Sequence, residues 1–328
     1  MRCISRAKSA ALVCVASISL FTGGCIGGKG ATPVTAYELK NYNQDLYQGK
    51  LYAEELCVAQ NDVALEGYTE DTELHSAALF DLTGERVLYS YKAHERLYPA
   101  STTKIMTALL AIENANLDDQ VTISGNADAS SFPADAQVCG LAKGEVWTLR
   151  DLLGALLLYS GNDAATAIAE YVGGSEEAFV NMMNRRAQEL MANGTHFMNP
   201  HGLHDDNHYT TAYDLYLIFN ECIKHEDFVN IIQSEAYTAY YTDVDGNRQE
   251  ALFTPTNLYA QGEVDVPENV TIVGGKTGTT DEAGYCLILM EKDSSDNPYI
   301  SIVMGASEKP VLYEDMTSLI EAIPSGQQ

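Results

Sequence analysis

Basic residues are scarce in this 328-residue chain: 19 lysines and arginines stand against 46 acidic residues, a formal net charge of −27. An excess of this size repels phosphate backbones and anionic lipid headgroups, which argues against nucleic acid or an acidic membrane face as the partner surface. The seven cysteines include no C-x-x-C pair, and no spacing matches a zinc ligand set. There is no G-x-S-x-G elbow for a Ser-His-Asp hydrolase. His201, His204 and His208 cluster in one segment but lack the glutamate of H-E-x-x-H, so no metal is expected there. Gly275-Lys276-Thr277 matches the end of a P-loop, yet Val270 stands where its first glycine belongs. Asp243-Val-Asp-Gly246 has its glycine two places too early for a calcium loop, and Thr254 takes the place of the closing glutamate. Internal repeats and low-complexity tracts are absent. An apolar content of 46% with 20% charged residues is that of a globular protein.

The first apolar stretch, Ala10 to Phe21, is too short for a comfortable membrane span. Preceded by Arg2, Arg6 and Lys8, it has the form of an export signal over residues 1–24. Loss of those three cations would take the charge from −27 to −30. Thr22-Gly-Gly-Cys25 looks like a bacterial lipobox, with Cys25 as the acylated residue; the alternative is an ordinary secretory signal beside an incidental cysteine. Acyl chains on Cys25 would hold the exported protein to the outer face of the plasma membrane. Residues 25–75 read as a tether followed by an acidic segment. Cys57, Cys139, Cys222 and Cys286 are compatible with disulfides in an oxidising location, and their spacing leaves the pairing open.

Organised structure is expected over residues 76–322, with 323–328 as a tail. Ser76 to Phe80 and Arg86 to Tyr91 flank a Gly-containing turn, a hairpin pattern. A helix apolar nearly all round follows from Ser101 through Ile112, as expected of a buried central helix. Thr148-Leu-Arg-Asp151 is a capping box ahead of a helix to Tyr159; Ser160-Gly-Asn162 interrupts, and Ala164 to Tyr171 resumes. Glu176 to Met191 and Thr211 to Lys224 are amphipathic helices, and Asp245-Gly246 marks a hairpin tip. Thr271 to Thr279, Tyr285 to Glu291 and Tyr299 to Ala306 read as antiparallel strands before a last helix, Pro310 to Ala322. Strands at both ends with helices between predict one α+β unit whose sheet is completed by the two ends of the chain.

Three short motifs carry the chemistry: Ser101-Thr-Thr-Lys104, Ser160-Gly-Asn162 and Lys276-Thr-Gly278. A serine hydroxyl is a poor nucleophile without a base in hydrogen-bond reach. Pro99 places Ser101 at a helix start, and Lys104 lies one turn on along the same face. Burial lowers the pKa of such an ammonium and makes it a usable base. The first-turn N–H groups would favour an oxyanion beside the serine. Lys276 sits in a strand with three glycines, a pattern used where a ligand backbone comes close.

In that order the motifs resemble those of penicillin-binding proteins and serine β-lactamases. Arg96-Leu-Tyr-Pro-Ala-Ser-Thr-Thr-Lys-Ile-Met, Thr195-His-Phe-Met-Asn-Pro-His-Gly-Leu and Ala283-Gly-Tyr-Cys-Leu are similar to the serine-type D-alanyl-D-alanine carboxypeptidases, the low-molecular-mass penicillin-binding proteins of peptidase family S11. The resemblance implies a β-lactamase/transpeptidase-like fold, an antiparallel sheet packed by helices with an all-helical subdomain. It implies removal of the terminal D-alanine from peptidoglycan stem peptides, with β-lactams as covalent inhibitors and no cofactor. Ser101 would be acylated, Lys104 would activate it, and Ser160 would relay the proton to the departing amine. Asn162 would hold a backbone carbonyl. Lys276, Thr277, Gly278 and Thr279 would bind the substrate's C-terminal end, with the N–H groups of Ser101 and Thr279 as the oxyanion hole. No Glu-x-x-Leu-Asn lies between Ser160 and Lys276, so β-lactam hydrolysis should be slow. A D,D-endopeptidase and a catalytically weak β-lactam sensor are the rival readings.

Overall fold

A computed structural model of the chain describes residues 55–65 and 75–324. The export segment, Cys25 and most of the acidic segment lie outside the described residues. Strand β1 (Ser76–Asp81) turns into β2 (Arg86–Tyr91), and the chain then enters its helical block. That block holds α1 (Lys104–Asn114), α2 (Leu149–Gly154), α3 (Asn162–Gly173), α4 (Glu176–Glu189), α5 (Ala212–Cys222) and α6 (Glu226–Ile232). After α7 (Leu258–Gln261) the chain returns as β7 (Val270–Thr280), β8 (Gly284–Asp293) and β9 (Pro298–Ala306), and closes with α8 (Lys309–Glu321). The main sheet has the order β2-β1-β9-β8-β7, antiparallel throughout, so the two ends of the chain meet at β1 and β9.

Side chains alternate across a strand, and β1 uses both faces. Ala78 and Phe80 join the helical block in the larger core, while Ala77 and Leu79 face α8 in the smaller one. This is why β1 is buried end to end. Helix α1 is buried from Lys104 through Ala111, the central helix its apolar surround predicts. The caps are where the sequence places them: Thr148 accepts a hydrogen bond from Asp151 N–H at 3.0 Å and Thr211 from Asp214 N–H at 3.0 Å. Residues 55–65, within the acidic segment, pack on this body. Cys57 N–H donates to the Tyr216 hydroxyl at 2.9 Å, and Val63 bridges to Ser90. Tyr216 is in turn stacked on Phe80 with centroids 4.0 Å apart.

The structure adds a second sheet, β3-β4-β5-β6, made of Gln120–Thr122, Val146–Thr148, Tyr237–Thr242 and Arg248–Phe253. The Asp245-Gly246 tip lies in the β5–β6 turn, closed by Gly246 N–H on Asp243 O. Two of these strands are three residues long, too short to show alternation. All four described cysteines are unpaired, and burial pushes the Cys57 and Cys286 thiols up to about 11. No helix among the described residues is long and apolar enough to cross a membrane.

Candidate active site

Pro99 leads into a tight 3-10 turn, Ala100–Thr103, which α1 continues. Ala100 has φ 47°, the left-handed region a non-glycine residue enters at a cost, so the bend that presents Ser101 is imposed by its surroundings. Two glycines permit it. A Cβ on Gly202 would lie 1.9 Å from Ala100 O, and one on Gly278 would lie 2.9 Å from Pro99 O and 3.0 Å from the Ser101 nitrogen. Strand β7 is thereby brought against the backbone N–H of Ser101.

Lys104 is fully buried, and its Nζ lies 2.8 Å from Ser101 Oγ, 2.7 Å from Asn162 Oδ1 and 2.6 Å from His201 O. Burial, and then the positive charge of Lys276, hold the Lys104 ammonium well below its ordinary pKa. A neutral amine has two N–H donors and one lone pair. Asn162 Oδ1 and His201 O can only accept, so they take the two donors and leave the lone pair facing the Ser101 hydroxyl. That is the geometry of a general base.

The second lysine is arranged differently. Lys276 Nζ donates to Ser160 Oγ at 2.9 Å and to Thr277 O at 2.8 Å, and burial pushes it down to about 7. Ser160 is presented by a π turn, Ala155–Tyr159, and itself takes φ 71°. Wide turns of this kind re-aim a single side chain at functional sites. The helix expected to run to Tyr159 therefore changes geometry at Ala155, five residues before Ser160.

Ser101, Ser160, Asn162, Thr277, Gly278 and Thr279 line one cavity of about 360 Å³. Lys104 and Lys276 reach it through the two serines. All eight motif residues named from the sequence are thus brought together; Cys25 lies outside the described residues. β7 is the edge strand of its sheet, so its backbone is open to pairing with an extended peptide laid in the cavity.

Three residues that the motifs did not single out support this centre. The Asp163 carboxylate, fully buried, accepts from Cys139 N–H (2.9 Å), Gly140 N–H (2.9 Å) and Leu141 N–H (3.1 Å), pinning the loop over the Ser160 turn. Its adjacency to Asn162 was the available signal. Thr256 shares a 2.6 Å hydrogen bond with Thr277. His201 acts through its backbone carbonyl, which a reading of ring nitrogens could not find. Desolvation holds the His201 and His208 rings neutral, down to about 3 and about 4. His208 Nδ1 accepts from Met198 N–H, so its Nε2–H donates to Thr103. Glu113, Glu221 and His225 lie close enough to share a cation, but Arg186 already bonds both carboxylates.

A family model described as D-alanyl-D-alanine carboxypeptidase matches residues 64–308. The chain belongs to that family. It is 34% identical over 254 residues to the D-alanyl-D-alanine carboxypeptidase DacF of Bacillus subtilis, covering 76% of this chain and 61% of the relative. To DacC of Escherichia coli it is 32% identical, covering 74% and 59%. The chain thus spans about three fifths of the length of these relatives. Among solved structures, the Streptomyces K15 DD-transpeptidase superposes with a TM-score of 0.71 at 28% identity, covering 78% of this chain and 98% of that one. Penicillin binding protein 5 of Haemophilus influenzae gives 0.68 at 27%, covering 78% and 72%. The transpeptidase-like fold expected from the motifs is the fold of this family member.

Proposed function

We propose that the protein is a serine D,D-carboxypeptidase that removes the terminal D-alanine from peptidoglycan stem peptides. The observation that carries this reading is the buried Lys104 Nζ, 2.8 Å from Ser101 Oγ and held there by Asn162 Oδ1 and His201 O. A peptide ending in D-Ala-D-Ala lies along β7 with its carboxylate at Thr277, Thr279 and the positive potential of Lys276. Ser101 Oγ attacks the penultimate carbonyl while Lys104 takes its proton. The N–H groups of Ser101 and Thr279 stabilise the oxyanion. As the C–N bond breaks, Ser160 passes a proton to the leaving amine, and water then cleaves the Ser101 ester. Which lysine supplies which proton belongs to the coupled pair.

With a β-lactam the opened ring stays tethered to the acyl group and blocks the entry of water. No Glu-x-x-Leu-Asn is present to activate one, and loss of a positioned base costs about 10²–10⁴ in rate. Purified protein should release D-alanine from a D-Ala-D-Ala pentapeptide over many turnovers and consume penicillin in one stoichiometric burst. Sustained penicillin turnover would favour a β-lactamase, and a burst without D-alanine release a sensor. The similar Streptomyces K15 enzyme is a DD-transpeptidase, so an amine acceptor belongs in the same assay to detect transfer in competition with water.

The basic residues before Ala10 and the Gly24-Cys25 junction support export and lipid attachment at Cys25, on the outer face of the plasma membrane. Cys25→Ser should release the protein from the membrane fraction or leave it unprocessed. An unchanged distribution would place any anchor elsewhere.

A further inference from the structure

Thr277 carries a hydroxyl that the reaction offers to the substrate's terminal carboxylate, and a second hydroxyl stands behind it. Thr256 Oγ1 lies 2.6 Å from Thr277 Oγ1, and both residues line the catalytic cavity. Neither hydroxyl has another hydrogen-bond partner among the described residues. The reaction as described gives Thr256 no part.

Both threonines sit on clamped backbone. On one side of Thr256, the Gln261 side-chain amide donates to Pro255 O at 2.9 Å. On the other, Asn257 caps α7 by accepting from Ala260 N–H at 2.8 Å. Leu258 N–H donates to the Tyr313 hydroxyl at 2.9 Å and so fastens the segment to α8. Thr277 is held in the β7 ladder opposite Leu287. The two hydroxyls are therefore brought together by elements that are each fixed independently.

Counting protons gives the bond its direction. A hydroxyl has one proton to donate, and a carboxylate can only accept. On the carboxypeptidase reading, on which this inference rests, the substrate's carboxylate takes the Thr277 proton. Only lone pairs then remain on the Thr277 oxygen for Thr256, so Thr256 is the donor. Accepting that bond fixes the Thr277 hydroxyl toward the substrate and polarises its O–H, which strengthens its bond to the carboxylate. We propose that Thr256 is a positioning residue that keeps the Thr277 hydroxyl a donor to the terminal carboxylate. Loss of one hydrogen bond of this kind weakens binding about two- to tenfold. The bond is present before and during bond breaking alike, so its loss appears in KM with kcat unchanged.

The test rests on two substitutions with opposite effects on packing and hydrogen bonding. Thr256→Val keeps the shape and removes the hydroxyl; Thr256→Ser keeps the hydroxyl and removes a methyl. With a D-Ala-D-Ala pentapeptide, Thr256→Val should raise KM about two- to tenfold at the wild-type kcat, and Thr256→Ser should recover the wild-type KM. The efficiency of acylation by penicillin, which also carries a carboxylate, should follow the same pattern. In a Thr277→Val background the valine at 256 should add nothing, because Thr256 acts through Thr277. An unchanged KM in Thr256→Val, a Thr256→Ser variant as impaired as Thr256→Val, or a Thr256→Val cost that persists without the Thr277 hydroxyl overturns the assignment. Failure of the wild type to release D-alanine overturns the peptidase reading, while the penicillin series still decides the role of Thr256.

Discussion

Replacing Lys104 with methionine removes the proposed base while keeping the length and much of the volume of the side chain. The structure sets two separate costs. Asn162 Oδ1 and His201 O lose their donor, and a buried acceptor left unpaired costs about 1–3 kcal/mol. Ser101 loses the one amine within hydrogen-bond reach among the described residues, at 2.8 Å. General-base catalysis contributes about 10²–10⁴ in rate, so acylation should slow by that factor. The two costs are read independently, stability by thermal melting and chemistry by the rate of labelling with a fluorescent penicillin. The pH profile supplies the signature. In the wild type, protonating Lys104 consumes the lone pair, so labelling should fall as pH drops through a pKa that burial and Lys276 hold well below the ordinary lysine value. In Lys104→Met that limb should vanish and leave a slow, flat rate. A variant that labels within tenfold of wild type, or that keeps the same acidic limb, would refute the assignment of Lys104.

Asp163→Ala leaves three loop amides without their acceptor and should cost on the order of 3–5 kcal/mol, lowering Tm by about 10 °C and slowing acylation as the Ser160 turn loosens. A melting temperature within about 2 °C of wild type would show that the clamp is not needed. Glu291, fully buried between the sheet and α8, tests the pH dependence of stability. Burial pushes its carboxyl up to about 8 from 4.5, an effect the nearby Ser301 hydroxyl only partly offsets. The folded protein therefore holds a proton that the unfolded chain has lost between those values, and stability should decline as pH rises through that window. From about pH 5.5 to 8.5 the loss is about 3 kcal/mol. Urea unfolding of Glu291→Leu should show a decline smaller by that amount, and an equal decline in both proteins would contradict the burial argument.

The chemistry of this chain is legible because it is written in contiguous motifs. Ser101 with Lys104 is one helical turn, Ser160 with Asn162 one connection, and Lys276 with Thr279 one strand. The long elements were equally readable, since α1 and β7 to β9 have enough residues to display a period. What escaped depends on contacts remote in sequence. β3 and β4 exist because Trp147 stacks on Tyr241 and pairs with Val121, which no three-residue window reveals. The seven-residue α6 is likewise too short for a periodic signal and is held by Phe228 against Phe219. The π turn before Ser160 has no sequence signature of its own. His201 contributes a main-chain carbonyl, which any residue could supply at that point.

The central claim is that Ser101 forms an acyl-enzyme on the way to releasing D-alanine. Intact-mass and peptide mass spectrometry of the wild type and Ser101→Ala, each incubated with penicillin and with a D-Ala-D-Ala pentapeptide, tests it directly. The account predicts one penicilloyl adduct, located on the peptide containing Ser101, and D-alanine release by the wild type alone. An adduct on another residue, or D-alanine release by Ser101→Ala, would contradict it.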